Sequence, residues 1–374
     1  MRADEYKNLK IGITHGDFNG NSYELVLKTL NDSNICETIT PVFFGCSKLV
    51  SYFRNYFKCA DFSFTPVKQN EVTHNKPNLY NIFNEEVKIN LGEITEQAAN
   101  LATLSMTRAQ NAVSSKMVDA LVCCPAHQSM LKETSPNHKG SGSYFVHKLQ
   151  STRSMQILCN DYIKLTAATA KVDYEELCKL LTVDYLFEKI KTLHRIMYYD
   201  FMISSPKIAI LATNSIDDNG KFVCGKIEKI IEEATELAVQ NKIQAFGPYL
   251  PSTFFNNNEY QKFDVVMTIT DQQADTIFSL LHGKDGVVYT SGLPFVITEP
   301  YNLVGQDAGD CQSFRSSLYL ANDITRNRRE NYRLRKNALG RDNYSAEKSN
   351  NTVERNNNSS ERKKGSSEGN STIS

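Results

Sequence analysis

The run Gly16-Asp17-Phe18-Asn19-Gly20-Asn21-Ser22-Tyr23-Glu24 joins an acid, two amides and two glycines directly after an apolar alternation at Ile11 and Ile13. Such a turn at the carboxyl end of a strand gathers backbone N–H donors and a carboxylate where open α/β sheets take their ligands. Asp17, Asn19 and Gly20 are therefore candidate ligand-pocket residues, although the same pattern also makes a plain strand-to-helix turn. Asn19 or Asn21 is expected to cap the helix that follows, because a short side-chain oxygen there accepts from the first free backbone N–H groups. Histidines 15, 127, 138 and 147 show no metal-ligand spacing. Each reads as solvent-exposed or locally hydrogen-bonded. Nine cysteines include no CxxC pair, and Cys123-Cys124 lies inside an apolar run, so they read as reduced packing residues.

The elements that position these residues alternate. Strands are expected at 11–13, 40–45, 119–124, 155–159, 162–169, 207–212, 263–269, 287–290 and 294–298, with helices at 48–57, 95–116, 144–149, 226–240 and 274–281. Two helices fill 173–202, and a last one starts near Gln312. Strands alternating with helices of this length imply a mainly parallel sheet with helical crossovers.

With 374 residues and 40% hydrophobic content, the chain can bury one large core or two. Lys plus Arg equals Asp plus Glu at 42 each, so no global field argues for nucleic acid or a membrane surface. The charged start Met1-Arg2-Ala3-Asp4-Glu5 lacks a secretory core and no apolar run reaches membrane-spanning length, so a cytoplasmic location is expected. Arg326, Arg328, Arg329, Arg333, Arg335 and Lys336 form a basic run, read as a solvated helix face rather than a nucleic-acid patch. Residues 339–374 are rich in Asn, Ser, Lys, Arg and Glu and read as a disordered polar tail.

From Gly16 to Glu24 the chain resembles the 4-hydroxythreonine-4-phosphate dehydrogenase family, whose members open with a G-D-x-x-G-I-x-x-E turn after a strand. Matches continue in order at Val122-Cys123-Cys124-Pro125, Ile208-Ala209-Ile210-Leu211, Phe263-Asp264, Tyr289-Thr290-Ser291-Gly292-Leu293-Pro294 and Ser313-Phe314-Arg315. The resemblance implies an isocitrate/isopropylmalate dehydrogenase-like α/β fold over residues 8–338, with two α/β domains flanking a cleft. One domain would hold 8–135 with 300–338 and the other 136–299. It also implies a homodimer that oxidises a phosphorylated hydroxy amino acid with NAD or NADP in pyridoxal phosphate synthesis, using a divalent metal held by three histidines.

At the implied metal ligands the residues differ. Lys171 stands at the first histidine, Asn214 to Gly220 contains no histidine at the second, and Asp271 stands at the third. Asp271 suits a hard cation, but a charged Lys171 would repel a divalent ion by about 8 kcal/mol at roughly 4 Å and an effective dielectric near 20. The substrate turn G-H-T-E is matched by Gly140-Ser141-Gly142-Ser143, which keeps Gly140 and Ser141 as pocket candidates. The lysine, asparagine and arginine that grip phosphate and carboxylate align with Ser279, Val288 and Ile297, and the H-G-T-A turn is replaced around Asn302 to Gly305. No catalytic residue is assigned, and Lys171 and Asp271 are candidate remnants of the centre that the resemblance implies. The expected function is a binding or regulatory scaffold that is inactive or strongly altered as a dehydrogenase, with no resident metal. The rival expectation is an NAD(P)-dependent 4-hydroxythreonine-4-phosphate dehydrogenase, with cofactor and metal if that activity persists; a nucleic-acid-associated protein is the weakest.

Overall fold

The first strand, β1 (Leu9–Thr14), is buried along nearly its whole length: Leu9, Ile11 and Ile13 fill one face, and on the other Gly12 is closely covered by Leu121, Phe44 and Val118. It pairs in parallel with β2 (Ile39–Gly45) on one side and β5 (Ala120–Val122) on the other. The computed structural model describes residues 8–131, 133–223, 225–282, 285–301 and 311–336. The tail at 339–374 and the replaced turn at 302–305 lie outside them. The chain divides into two compact units, Met1–Thr325 and Arg326–Ser374.

In the first unit one twelve-stranded sheet runs in the order β3-β4-β2-β1-β5-β12-β11-β6-β7-β10-β8-β9. The remaining strands are β3 (Thr65–Pro66), β4 (Asn78–Asn81), β6 (Gln156–Cys159), β7 (Lys164–Thr169), β8 (Lys207–Leu211), β9 (Gln244–Tyr249), β10 (Val265–Thr270), β11 (Val287–Thr290) and β12 (Val296–Pro300). Both flanks are parallel, whereas the centre β12-β11-β6-β7 is antiparallel. The parallel expectation therefore holds for the flanks, and the centre departs from it because β6 to β7 and β11 to β12 are joined by links too short for a crossover.

The helices that frame the sheet include α1 (Ser22–Leu30), α2 (Asn34–Thr38), α3 (Ser47–Tyr56), α4 (Glu96–Ser114), α5 (Gly142–Lys148), α6 (Tyr174–Leu180), α7 (Val183–Tyr199), α8 (Lys226–Gln240), α9 (Pro251–Asn256) and α10 (Asp271–His282). Helix α7 buries Leu186, Ile190, Leu193 and Met197, a stripe at helical spacing. Strand β9 and helix α9 were absent from the sequence expectations. Gly247-Pro248 inside Gln244–Tyr249 gives a breaker signal, and proline in a strand is tolerated because β9 is the sheet edge. Helix α10 starts at Asp271, three residues before the expected Ala274. In the second unit, the described part of 326–336 is helical and exposes Arg326, Arg329, Arg333, Arg335 and Lys336.

Two corrections concern the first turn. Asn21 holds the N-cap position of α1 but makes no side-chain cap hydrogen bond. Asn19 turns away to the segment 90–95, accepting from the Asn90 N–H at 2.9 Å and donating to the Glu93 carbonyl and the Thr95 hydroxyl at 3.2 and 3.1 Å. Gly16 is the glycine this turn needs, since its φ is +64° and a Cβ there would meet Ser22 Oγ at 2.5 Å and the Pro125 carbonyl at 2.6 Å. A Cβ at Gly20 would meet nothing closer than 3.6 Å.

Candidate active site

A cavity of about 810 Å³ lies over the antiparallel centre of the sheet. Directly opposed residues of an antiparallel pair point to the same face. Val288 opposes both Glu299 and Leu158, so these three side chains share a face and form the cavity floor. Gln156, two residues before Leu158, lies on that face as well. The walls come from the loops 125–127, 135–140 and 151–155, from Tyr185 and Lys189 of α7, and from Asp271, Ala274 and Asp275 of α10.

The loop 135–140 is fixed by polar contacts. Gln156 accepts from the Lys139 N–H at 2.9 Å and donates to the Lys139 carbonyl at 2.8 Å. The Lys139 ammonium bridges Asp271, at 2.8 Å, and Asp275. Asp271 and Asp275 stand four apart on α10, so both carboxylates project on one side of the helix. Burial lowers the Lys139 pKa, but the hydrogen bonds its ammonium donates to the two carboxylates outweigh this and hold it above the ordinary value. For Asp271, burial raises the pKa and the Lys139 contacts overcome this, so its carboxyl is held below the usual range.

Lys171 lies at the turn after β7 with φ +54°. Its N–H points to Asp271 Oδ1 at 3.4 Å and its ammonium donates to the His138 carbonyl at 2.8 Å. Burial, and then the charge of Lys139, lower its pKa. The first and third positions of the implied histidine set therefore do converge, as Lys171 and Asp271. His138 beside them is neutral: burial drives its pKa down to about 4, with its Nδ1 3.1 Å from the Ser135 hydroxyl.

Glu299 is the buried acid of the floor. It accepts from the N–H groups of Ser141 at 2.8 Å and Gly142 at 3.3 Å. Burial raises its pKa to about 7 against the lowering effect of those N–H donors. The packing explains Gly140, whose φ is +63° and whose Cβ would sit 2.5 Å from Glu299 Oε1. Lys189 differs from Lys139. Its ammonium lies 5.3 Å from the centre of the Tyr185 ring, and among the described residues no carboxylate pairs with it. Burial lowers its pKa.

Of the sequence candidates, Gly140 and Asp271 line the cavity, whereas Asp17, Asn19, Gly20, Ser141 and Lys171 do not. Ser141 and Lys171 sit immediately behind the wall through Glu299 and His138. Asp17 is tied to the scaffold, its N–H donating to the Pro125 carbonyl at 2.9 Å and its carboxylate accepting from the Asn19 N–H at 2.9 Å. Sequence reasoning missed Lys139, Gln156, Lys189, Asp275 and Glu299. Two of these carry a signal: Glu299 is a lone acid in a buried apolar strand, and Lys189 follows Leu186 by three and precedes Leu193 by four in the buried stripe of α7.

The donor set does not fit a divalent metal of the implied kind. Among the described residues no three His, Cys, Asp or Glu side chains group as ligands, Asp271 is neutralised by Lys139, and an ammonium occupies the first ligand position. Among the described residues, no helix is long and apolar enough to cross a membrane.

Residues 37–321 match the family model of the pyridoxal phosphate biosynthetic protein PdxA. The chain is 29% identical over 347 residues to a 4-hydroxythreonine-4-phosphate dehydrogenase of Bacteroides thetaiotaomicron, covering 91% of this chain and 95% of that one. It is 25% identical over 320 residues to the enzyme of the same name from Sulfurihydrogenibium sp., covering 84% and 97%. The crystal structure of 4-hydroxythreonine-4-phosphate dehydrogenase from Klebsiella pneumoniae superposes with a TM-score of 0.65 at 20% identity, covering 85% of this chain and all of that one. That likeness establishes the expected isocitrate dehydrogenase-like α/β fold.

Proposed function

The chain belongs to the PdxA family, and we propose that it is an oxidoreductase acting on a phosphorylated hydroxy amino acid of the 4-hydroxythreonine 4-phosphate type, without the three-histidine metal centre. The observation that carries this reading is Glu299, a buried carboxyl on the floor of the cavity with a pKa of about 7. An acid or base works best when its pKa lies near the working pH. Glu299 would take the hydroxyl proton as the substrate carbon loses hydride, leaving a ketone and a protonated carboxyl. NAD or NADP would supply the hydride acceptor, and the cavity volume falls in the range of small-molecule and cofactor sites. Lys139, held by Asp271 and Asp275, would orient the substrate oxygen by hydrogen bonding to it. In this reading Lys171 is a positioning residue, holding the His138 carbonyl and with it the loop 135–140. A homodimer and a cytoplasmic location belong to the same proposal.

A non-catalytic binding scaffold is the second reading. It is favoured by the closure of the Lys139, Asp271 and Asp275 charges on one another, which leaves that wall electrically satisfied. One experiment separates the two: incubate the full chain with 4-hydroxythreonine 4-phosphate and NAD or NADP, with and without chelator, and follow reduced cofactor. The first reading expects turnover that resists chelator and falls by about 100-fold or more in Glu299→Gln, the usual size of an acid–base contribution. Ligand binding by calorimetry with no reduced cofactor would establish the scaffold instead.

A further inference from the structure

The cavity must hold the anionic end of its ligand somewhere, and three of the available places are already taken. The backbone N–H pair of Ser141 and Gly142, an evident oxyanion cradle, is filled by the chain's own Glu299 carboxylate. The positions that the family resemblance assigns to cationic and polar anion contacts are Ser279, whose hydroxyl pairs with Tyr301, Val288, which is apolar, and Ile297, which is fully buried in the core. The ammonium of Lys139 is neutralised by Asp271 and Asp275.

Lys189 is different on each count. It lines the cavity from α7, it is half-buried, and among the described residues it meets the face of Tyr185 and no carboxylate. A cation held out of water without a counter-charge is unfavourable unless something supplies the charge. The ring of Tyr185 supplies part of that stabilisation, and its hydroxyl is anchored on the Ala168 carbonyl, so the ring is fixed in place. His138, on whose titration the Lys189 charge acts, is neutral and adds no negative charge, and the Ser151 and Ser154 hydroxyls of the lining donate to the Gly292 and Ser151 carbonyls. Leu158, Ala274 and Val288 contribute apolar surface to the lining. Among the described residues, Lys189 on α7 is thus a cation of the cavity lining with no carboxylate partner, in contrast to Lys139.

We propose that Lys189 is the anion anchor of this site, so that the ligand's phosphate or carboxylate docks at α7 rather than against the β11–β12 wall. This rests on the cavity being the ligand site of the proposed function, and it names the charge and orientation of the ligand. A ligand seated this way places its anion at Lys189 and its uncharged middle toward Lys139 and Glu299.

The test titrates the full chain with 4-hydroxythreonine 4-phosphate and with 4-hydroxythreonine by calorimetry, in the parent, Lys189→Met and Lys189→Arg. Lys189→Met is expected to weaken the phosphorylated probe tenfold or more, and Lys189→Arg to restore most of the loss. If the effect of Lys189→Met vanishes with the unphosphorylated probe, the docked group is the phosphate; if it persists, the docked group is the carboxylate. Equal affinity in parent and Lys189→Met would overturn the proposal. If neither probe binds the parent, the oxidoreductase reading fails on its own, and Lys189 is then judged with inorganic phosphate. Protection of Lys189 from acetylation by phosphate, read by mass spectrometry, supports the anchor, and unchanged acetylation rejects it.

Discussion

The turn from β1 into α1 and the turn from β10 into α10 both leave a parallel strand at its carboxyl end, and both carry an aspartate. Their chemistry differs. Asp17 accepts from the Asn19 N–H beside it, and its neighbour Asn19 clamps the segment 90–95, so the polar groups of this turn are used within the scaffold. Asp271 instead reaches across to Lys139 of a distant loop, on the wall of the cavity. One turn is held by backbone hydrogen bonds and the other by side-chain charges. A motif-rich turn can therefore be structural while a plain one carries the site, because side chains reaching from elsewhere decide which turn is wetted by a ligand.

The largest break in this contrast is expected from Gly16→Val. The positive φ and the 2.5–2.6 Å approach of Ser22 Oγ and the Pro125 carbonyl leave no room for a side chain. A loss of about 4 kcal/mol is expected, read from the denaturant midpoint. Substitution at Gly20, which has ordinary spacing, should cost far less.

Next comes pH, where the two regions have opposite signs. His15, beside the first turn, is fully buried, with Nδ1 2.9 Å from the Tyr23 hydroxyl, and burial lowers its pKa to about 3 from 6.5. Between these values the unfolded chain binds more protons, so stability due to His15 is full above about 6.5 and is lost as pH falls toward 3. Glu299 is raised to about 7 from 4.5, so in that window the folded state binds more protons and its contribution is lost as pH rises. The two effects oppose each other from about 4.5 to 6.5, each on the order of a few kcal/mol. Glu299→Gln should remove the falling arm, leaving stability that rises more steeply with pH across this range. A parent-like slope in denaturant melts taken at several pH values would contradict the assignment.

The smallest effect is expected from Lys139→Met. The Lys139 side chain is 41% exposed, so solvent screening holds the stability cost to about 1 kcal/mol or less. The sharper readout is the titration of Asp271 by NMR. Without the cation its pKa should rise toward the ordinary carboxylate value, while that of Asp17 should not move.

Much of the framework is legible in residue order. Leu9 to Thr14, Ile39 to Gly45 and Val265 to Thr270 are apolar runs of strand length, and Lys226 to Gln240 has helical spacing, so local periodicity determines those elements. The family resemblance, rather than local pattern, brought Lys171 and Asp271 forward, 100 residues apart, and in the fold the Lys171 N–H lies 3.4 Å from Asp271 Oδ1. It did not bring forward Glu299, Lys139 or Lys189. A glutamate in Phe295 to Pro300 is a local oddity whose meaning depends on Ser141 and Gly142 lying opposite it, 157 or 158 residues away. Lys139 has no periodicity to mark it, and its role exists only because Gln156 pins its backbone while α10 presents two aspartates on one side. The sequence by itself determined most of the elements and the family, since these depend on neighbours along the chain. Which charges cancel, which acid is buried and which lysine faces the cavity with no carboxylate partner among the described residues were decided by the tertiary structure, because burial and Coulomb energies depend on distances that chain order does not specify.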